Sequence, residues 1–439
     1  MSIADYIKNK LPYWPNWINF ILLKLNIFGG WVYGRAYRKC KNTIDTTNPE
    51  DKLLKIVNYA IGHVPYYRKR YGDLIIHSKQ EFEEKIGFID KDEVMSHWDE
   101  FLSDEIDWSK CHTGTTGGTS GKPLKLVTPR NRYSWELAYM HRLWNKAGWN
   151  YDVRGIIRNH DLKERDYVIN PIMKEIIFDS HKMSESYALR VYQVLRKFKV
   201  KYITAYPSNA YQFSSFCIKQ KLDISFIKAF LCGSEGVTYE QKQFFERNNI
   251  KILSYYGHSE KLILGSNELS SSVFTMERGY GLCELLDSND VSVDDAGEMG
   301  ELVGTTYHNY YFPLIRYKTG DYATLISRKE NLQLENIVGR WDKTLLFRKD
   351  GTTIALSVLN LHGDFYEHID GIQYFQEKIG YIKVLIIKNS QYTDADEDFI
   401  KEHLGVAMGG KQYVDIVYSD NLVFQPNGKF LPLISKIQA

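Results

Sequence analysis

Thr116-Gly117-Gly118-Thr119-Ser120-Gly121-Lys122 packs three glycines, three hydroxyl side chains and a lysine into seven residues. Glycine lets a backbone approach a ligand closely and adopt positive φ. Backbone N–H groups, hydroxyls and a lysine charge together suit a polyphosphate. The Walker loop is excluded by spacing, since it needs four residues between its first glycine and Gly-Lys-Ser/Thr. Gly117 and Gly121 enclose three, and Pro123 follows Lys122 where that loop has its metal-binding hydroxyl. Pro123 also removes a donor and pushes Lys122 toward extended geometry. Leu124-Lys125-Leu126-Val127-Thr128 then alternates like a strand. A glycine-rich loop running into a strand is therefore expected, with a plain surface loop as the alternative.

Four further groups follow in order. Tyr256-Gly257-His258-Ser259-Glu260 comes after an apolar run at 252–255. At a strand end an aromatic can flank a purine, Ser259 can bond a phosphate and Glu260 can hold Mg²⁺. The alternative is a helix entry capped by Ser259. Lys318-Thr319-Gly320-Asp321 puts an acid after a glycine at a strand-to-turn junction. Its two carboxylate oxygens could accept both hydroxyls of a ribose, although Gly-Asp turns are common. Arg340, in Gly339-Arg340-Trp341-Asp342, could bond ribose or phosphate, or be a surface arginine. Lys429, in Pro426-Asn427-Gly428-Lys429, could reach a developing acyl-phosphate charge, or be solvated.

The elements that must position these groups can be read from periodicity. Helices are expected over 48–72 with a break at 65–67, then 81–86, 90–98 and 131–146. From about 151 helices alternate with strands: helix 188–199 with strand 202–205, helix 211–219 with strand 227–231, helix 239–247 with strand 252–255. That alternation implies a parallel sheet covered by helices. Strands dominate 273–350, at 300–303, 322–326 and 332–334. The last hundred residues read as a small α+β unit, with strand 383–387, helix 395–404 and strand 413–418. The expected fold class is α/β: a large N-terminal domain of mixed sheets with flanking helices over 1–338, a hinge at 339–342, and a small mobile α+β domain over 343–439. Residues 1–47 form a helical extension of the large domain.

Composition narrows the function. The 439 residues are 44% hydrophobic and 25% charged, which is ordinary for a globular enzyme. A net charge of +2, with no Lys/Arg stripe interleaved with aromatics, gives no reason to expect a nucleic-acid partner. Five scattered cysteines without a CxxC pair suit a reduced cytoplasmic protein. No cleavable signal peptide is evident. The apolar run 14–33 is broken by Pro15, Lys24, Asn26 and Gly29-Gly30, too short for a spanning helix. A buried helix packed on the large domain is the first expectation for it, and a helix lying on the inner membrane surface the second.

The ordered set resembles the adenylate-forming superfamily of acyl-CoA synthetases, adenylation domains and luciferases, and within it the phenylacetate–CoA ligase family. Tyr256-Gly257-His258-Ser259-Glu260-Lys261-Leu262-Ile263-Leu264 and His308-Asn309-Tyr310-Tyr311-Phe312-Pro313-Leu314-Ile315-Arg316-Tyr317-Lys318-Thr319-Gly320-Asp321 are similar to its bacterial capsule and surface-polysaccharide branch. The resemblance covers roughly 50–435. It implies that Thr116, Gly117, Gly118, Thr119, Ser120, Gly121 and Lys122 hold the β- and γ-phosphates of ATP. Tyr256 and Gly257 would sit at the adenine, with Gly233, Ser234 and Glu235 lining its other side. Glu260 would bind Mg²⁺, Asp321 the ribose and Arg340 the nucleotide, with Asp342 as pivot. Lys429 would be catalytic, with Ser259 and Glu260, bridging carboxylate and α-phosphate before the small domain rotates. Tyr206 matches a position near the acyl pocket.

The expected activity is an ATP-dependent, AMP-forming ligase that activates a carboxylic acid as an acyl adenylate. Positive charge is required because a carboxylate must approach a phosphate anion, and a closing domain would shield the adenylate. No coenzyme A signature is legible, so the acceptor is open between CoA, a carrier thiol and a sugar amine or hydroxyl. The alternative is a catalytically silent nucleotide-binding scaffold of a biosynthetic complex.

Overall fold

A computed structural model describes residues 10–26, 33–116, 124–339, 345–349, 353–355, 365, 368–423 and 433–437. The chain forms two compact units. One comprises Met1–Ile44, Tyr133–Tyr256 and Gly265–Thr275; the other comprises Asp45–Arg132, Gly257–Leu264 and Met276–Ala439.

In the first unit the α/β alternation is realised as expected. Strands Arg154–Arg158, Tyr202–Ala205, Ala229–Gly233 and Ile252–Gly257 pair in parallel in that order, and Glu175–Asp179 adds on the far side of Arg154–Arg158. Val168–Asn170 closes that edge antiparallel. Helices Glu185–Lys197, Pro207–Lys219 and Tyr239–Arg247 connect the strands. Ser184 caps the first and Thr238 with Gln241 closes a capping box on the third, which satisfies N–H groups that a helix start leaves open. Ile157, Ile203, Phe230, Val191, Leu195 and Phe213 are wholly or almost wholly buried between sheet and helices. Their burial fixes the sheet, and all five parallel strands therefore deliver their C-terminal residues to one edge.

The apolar N-terminal run is a ten-residue helix, Asn16–Leu25, ended by Asn26 in the left-handed region. The expected buried helix is only half realised. Phe20 packs edge-on against Phe198, and Asn16 donates to the Tyr167 carbonyl. Trp17 and Leu25, at 67% and 64% exposure, face outward with Trp14 and Ile21. No helix among the described residues is long and apolar enough to cross a membrane.

The second unit carries a meander of strands Gly281–Leu286, Met299–Thr306, Tyr317–Ser327 and Gln333–Val338, each antiparallel to the next. Helices Pro49–His63 and Pro65–Tyr71 break at Val64, since the prolines hold the residues before them extended. Strand Cys111–Thr115 forms a hairpin with Lys125–Pro129. The C-terminal part has its own sheet, in the order Val414–Tyr418, Ile382–Lys388, Ile369–Gln376, Leu433–Ser435, with helix Asp394–Met408 joining two parallel strands.

Candidate active site

In the first unit, four strand ends bring together residues widely spaced in sequence. Strand Ala229–Gly233 ends against the ring of Tyr255: a Cβ on Gly233 would lie 2.3 Å from it. The turn then continues through Ser234 at φ +71. Glu235 accepts from the Ser208 backbone N–H at 3.2 Å and its hydroxyl at 3.1 Å. A carboxylate at that helix start is favoured by the open N–H groups and the helix dipole. Tyr206 is the residue before helix Pro207–Lys219, and its ring lies 4.8 Å from the guanidinium of Arg158. Tyr256 is half-buried, near the end of its strand. The predicted Gly233, Ser234, Glu235, Tyr206 and Tyr256 thus share the sheet edge where α/β proteins bind ligands.

Arg158 and Tyr255 belong to the same edge and escaped the sequence reading. Arg158 Nη2 donates to Tyr255 Oη at 2.8 Å. Burial works against the Arg158 charge, but Tyr255, Tyr206 and Cys232 around it hold its pKa above the usual value. Burial raises the pKa of Tyr206, with Arg158 opposing. It also raises that of the Cys232 thiol, which is an inert core group. The one local signal for Arg158 was an arginine at the end of the apolar strand Arg-Gly-Ile-Ile-Arg.

In the second unit, Thr116 closes the mouth of the glycine-rich segment. Its N–H donates to the Leu124 carbonyl, and its hydroxyl accepts from the Leu124 N–H, both at 2.9 Å. A strand does follow, as expected, from Lys125. Gly117, Gly118, Thr119, Ser120, Gly121 and Lys122 lie outside the described residues, as do Arg340, Asp342 and Lys429.

His258-Ser259-Glu260-Lys261 is a tight turn, with the Lys261 N–H donating to the His258 carbonyl and Lys261 at φ +61. No helix follows, so Ser259 is not a helix cap. Glu260 is buried, and its Oε2 lies 3.0 Å from His258 Nδ1. The next residues press on two glycines that sequence reasoning passed over. A Cβ on Gly281 would lie 2.0 Å from the Leu262 carbonyl oxygen, and one on Gly304 would lie 2.5 Å from Leu262 Cβ. Glycine inside a strand is the signal for such close approach.

Asp321 is buried inside a long strand, not at a strand-to-turn junction. The pairing jumps from Glu301↔Tyr322 to Val303↔Lys318, so extra residues bulge out of the ladder. Gly320 takes φ +72 there. Its N–H donates to Glu301 Oε1 at 2.9 Å, and Thr319 Oγ1 donates to the Leu302 carbonyl at 2.6 Å. The bulge aims Asp321 in a direction that a regular strand would not.

The fold is that of adenylate-forming ligases. A 2-hydroxyisobutyryl-CoA ligase in complex with 2-HIB-AMP and CoA in the thioesterification state aligns over 91% of this chain and 90% of that one, with a TM-score of 0.57 at 17% identity. The same enzyme in the postadenylation state gives a TM-score of 0.53 at 15% identity over 88% of each chain. In sequence, the chain is similar to the phenylacetate-coenzyme A ligase of Pseudomonas putida, 23% identical over 315 residues, covering 68% of this chain and 71% of the relative. It is also similar to Protein CapK of Staphylococcus aureus, 21% identical over 366 residues, covering 78% and 77%. No protein-family model matches the chain. Fold and relatives bear out the resemblance carried by the motifs: the chain has the fold of adenylate-forming ligases and is similar in sequence to phenylacetate-coenzyme A ligases and CapK.

Proposed function

We propose that the chain condenses a carboxylic acid with ATP to an acyl adenylate and pyrophosphate, then passes the acyl group to a thiol, with coenzyme A the favoured acceptor. The observation that carries this is the Thr116–Leu124 pin, which brings together the two ends of the segment that holds three glycines, two hydroxyls and a lysine in sequence. Residues of those types between paired ends suit phosphate oxygens, which take N–H and hydroxyl donors. In this reading Tyr256 and the Gly233–Glu235 turn flank the adenine, and Asp321 accepts the ribose hydroxyls. Arg340 contacts the nucleotide, and Asp342 is the pivot of the small domain. Lys429 bridges carboxylate and α-phosphate.

Among the described residues no group of three His, Cys, Asp or Glu could hold a metal ion by itself. Glu260 supplies one buried carboxylate, which suits Mg²⁺ arriving on the phosphates of ATP, since Mg²⁺ commonly takes one or two carboxylates and keeps its phosphate ligands. When bound it would neutralise phosphate charge. The likeness to CapK supports a place in surface-polysaccharide synthesis, where the acceptor could instead be a carrier thiol or a sugar amine or hydroxyl. The exposed Trp14, Trp17, Ile21 and Leu25 face supports peripheral contact with the inner membrane from the cytoplasmic side.

The test is pyrophosphate release from Mg-ATP against fatty, aromatic, amino and uronic acids, for the wild type and Lys429→Ala in parallel. Release that depends on one acid and on Lys429 is expected. Undiminished release in Lys429→Ala would remove that lysine from the chemistry, and nucleotide binding without release for any acid would favour a scaffold.

A further inference from the structure

Arg158 is a half-buried cation with no carboxylate partner among the described residues. Its Nη2 donates to a neutral phenol, Tyr255, and its Nε is buried and finds no acceptor. Its guanidinium carbon lies 4.8 Å from the centre of the Tyr206 ring. Glu175, whose charge Arg158 feels, accepts from Arg154 at 2.7 Å, and Glu235 in the neighbouring turn accepts from Ser208. The fully buried Arg154 and Arg316 are treated differently. Arg154, four residues earlier on the same strand, has Glu175 and the Thr204 hydroxyl. Arg316 has both oxygens of Glu284 and the carbonyls of Glu83 and Ile86. A guanidinium partly withdrawn from water without a counter-ion is costly, and a buried unsatisfied donor such as its Nε calls for an explanation, of which an unoccupied ligand position is one. The local potential is positive enough that burial and Arg158 together lower the pKa of His160.

Position says what kind of ligand. Arg158 ends its strand at the sheet edge shared by Tyr206, Gly233–Glu235 and Tyr255. An anion there meets a planar fork of donors that fits a carboxylate through two parallel bonds. The reacting carboxylate must lie at the α-phosphate, whose charge Lys429 would offset under the proposed function. From these observations, and resting on that reading, we infer that Arg158 binds a second carboxylate on the acid substrate, so that the enzyme selects dicarboxylic acids. The specificity would come from the unpaired cation: a bound substrate lacking the second carboxylate would cover it and leave it unmatched, which discriminates far more strongly than a missing methylene does.

The experiment measures pyrophosphate release with matched pairs that differ only in a terminal carboxylate: glutarate against butyrate, adipate against hexanoate, 3-carboxyphenylacetate against phenylacetate. Wild type, Arg158→Met and Arg158→Lys are compared, with circular dichroism and melting midpoints establishing that each variant folds. The expected wild-type preference for the diacid in kcat/KM is about 10- to 100-fold, the worth of a hydrogen-bonded charge. It should collapse toward one in Arg158→Met and be partly kept in Arg158→Lys. A wild-type preference for monoacids overturns the inference while leaving adenylation standing, and needs no variant. An equal loss on both members of each pair also overturns it, since Arg158 would then hold the reacting carboxylate or the nucleotide. If no acid supports release, adenylation fails, and ligand-induced melting shifts decide the inference. A diacid that raises the midpoint of the wild type but not of Arg158→Met upholds it, and no shift with any diacid overturns it.

Discussion

Gly233→Ala should damage the strand-end site through one contact. Gly233 is outside the left-handed region, so its backbone tolerates alanine and only space forbids it. Three ring atoms of Tyr255 would lie 2.3, 2.5 and 2.8 Å from the new Cβ. Carbon atoms rest at about 3.5–4.0 Å, so the ring must withdraw by about 1 Å. The 2.8 Å bond from Arg158 to Tyr255 then stretches beyond useful length. Overpacking costs about 1–3 kcal/mol, and losing a hydrogen bond with a charged donor about 1.5–3 kcal/mol. The two do not add, because moving the ring relieves the first by surrendering the second. A net loss of about 2 kcal/mol is expected. The assay is urea unfolding of Gly233→Ala, Tyr255→Ala and the double variant. With the ring removed, Gly233→Ala should cost less than about 0.5 kcal/mol, giving a coupling near the full effect. Equal costs in both backgrounds would refute the argument, because the clash would not lie with Tyr255.

The other predictions concern pH and nucleotide affinity. His141 is buried, its Nδ1 lies 2.8 Å from Tyr37 Oη, and burial first, then the charges of Arg154 and Lys41, push its pKa down to about 3. Between about pH 6.5 and 3 the unfolded chain binds a proton that the folded chain refuses, so stability falls with pH by up to about 1.4 kcal/mol per unit. Stability curves at pH 7 and 5 should converge in His141→Gln, and an unchanged pH dependence would remove this residue as the cause. Asp321→Ala should raise the Kd for ATP by about 10- to 150-fold, the worth of hydrogen bonds to a charged group. Unaltered binding in equilibrium titration would take Asp321 out of the nucleotide site.

What the sequence made legible, and what it hid, divides by the range of the forces involved. The parallel sheet was readable because its signal is local: Tyr202–Ala205 is a short apolar run, and Tyr239–Arg247 carries helical periodicity behind a Thr-x-x-Gln cap. The strand after the glycine-rich segment was readable because Pro123 forbids the alternative helix. Gly281 and Gly304 were not singled out, because their reason lies in Leu262, which approaches them from 19 and 42 residues away. Asp321 was recognised as chemistry but misplaced as a turn, since a bulge exists only in the pairing of two strands, and Tyr317–Ser327 alone does not show its register against Met299–Thr306. Arg158 is the strongest case. As sequence it is an ordinary arginine; its meaning comes from the carboxylates around it being turned toward Ser208 and Arg154. Motifs therefore carry the resemblance to such ligases, in glycines, hydroxyls and acids at fixed spacing. If Arg158 selects the acid as inferred, that choice is written in which charge at the sheet edge lacks a partner, and it can be read only once the strands are in place.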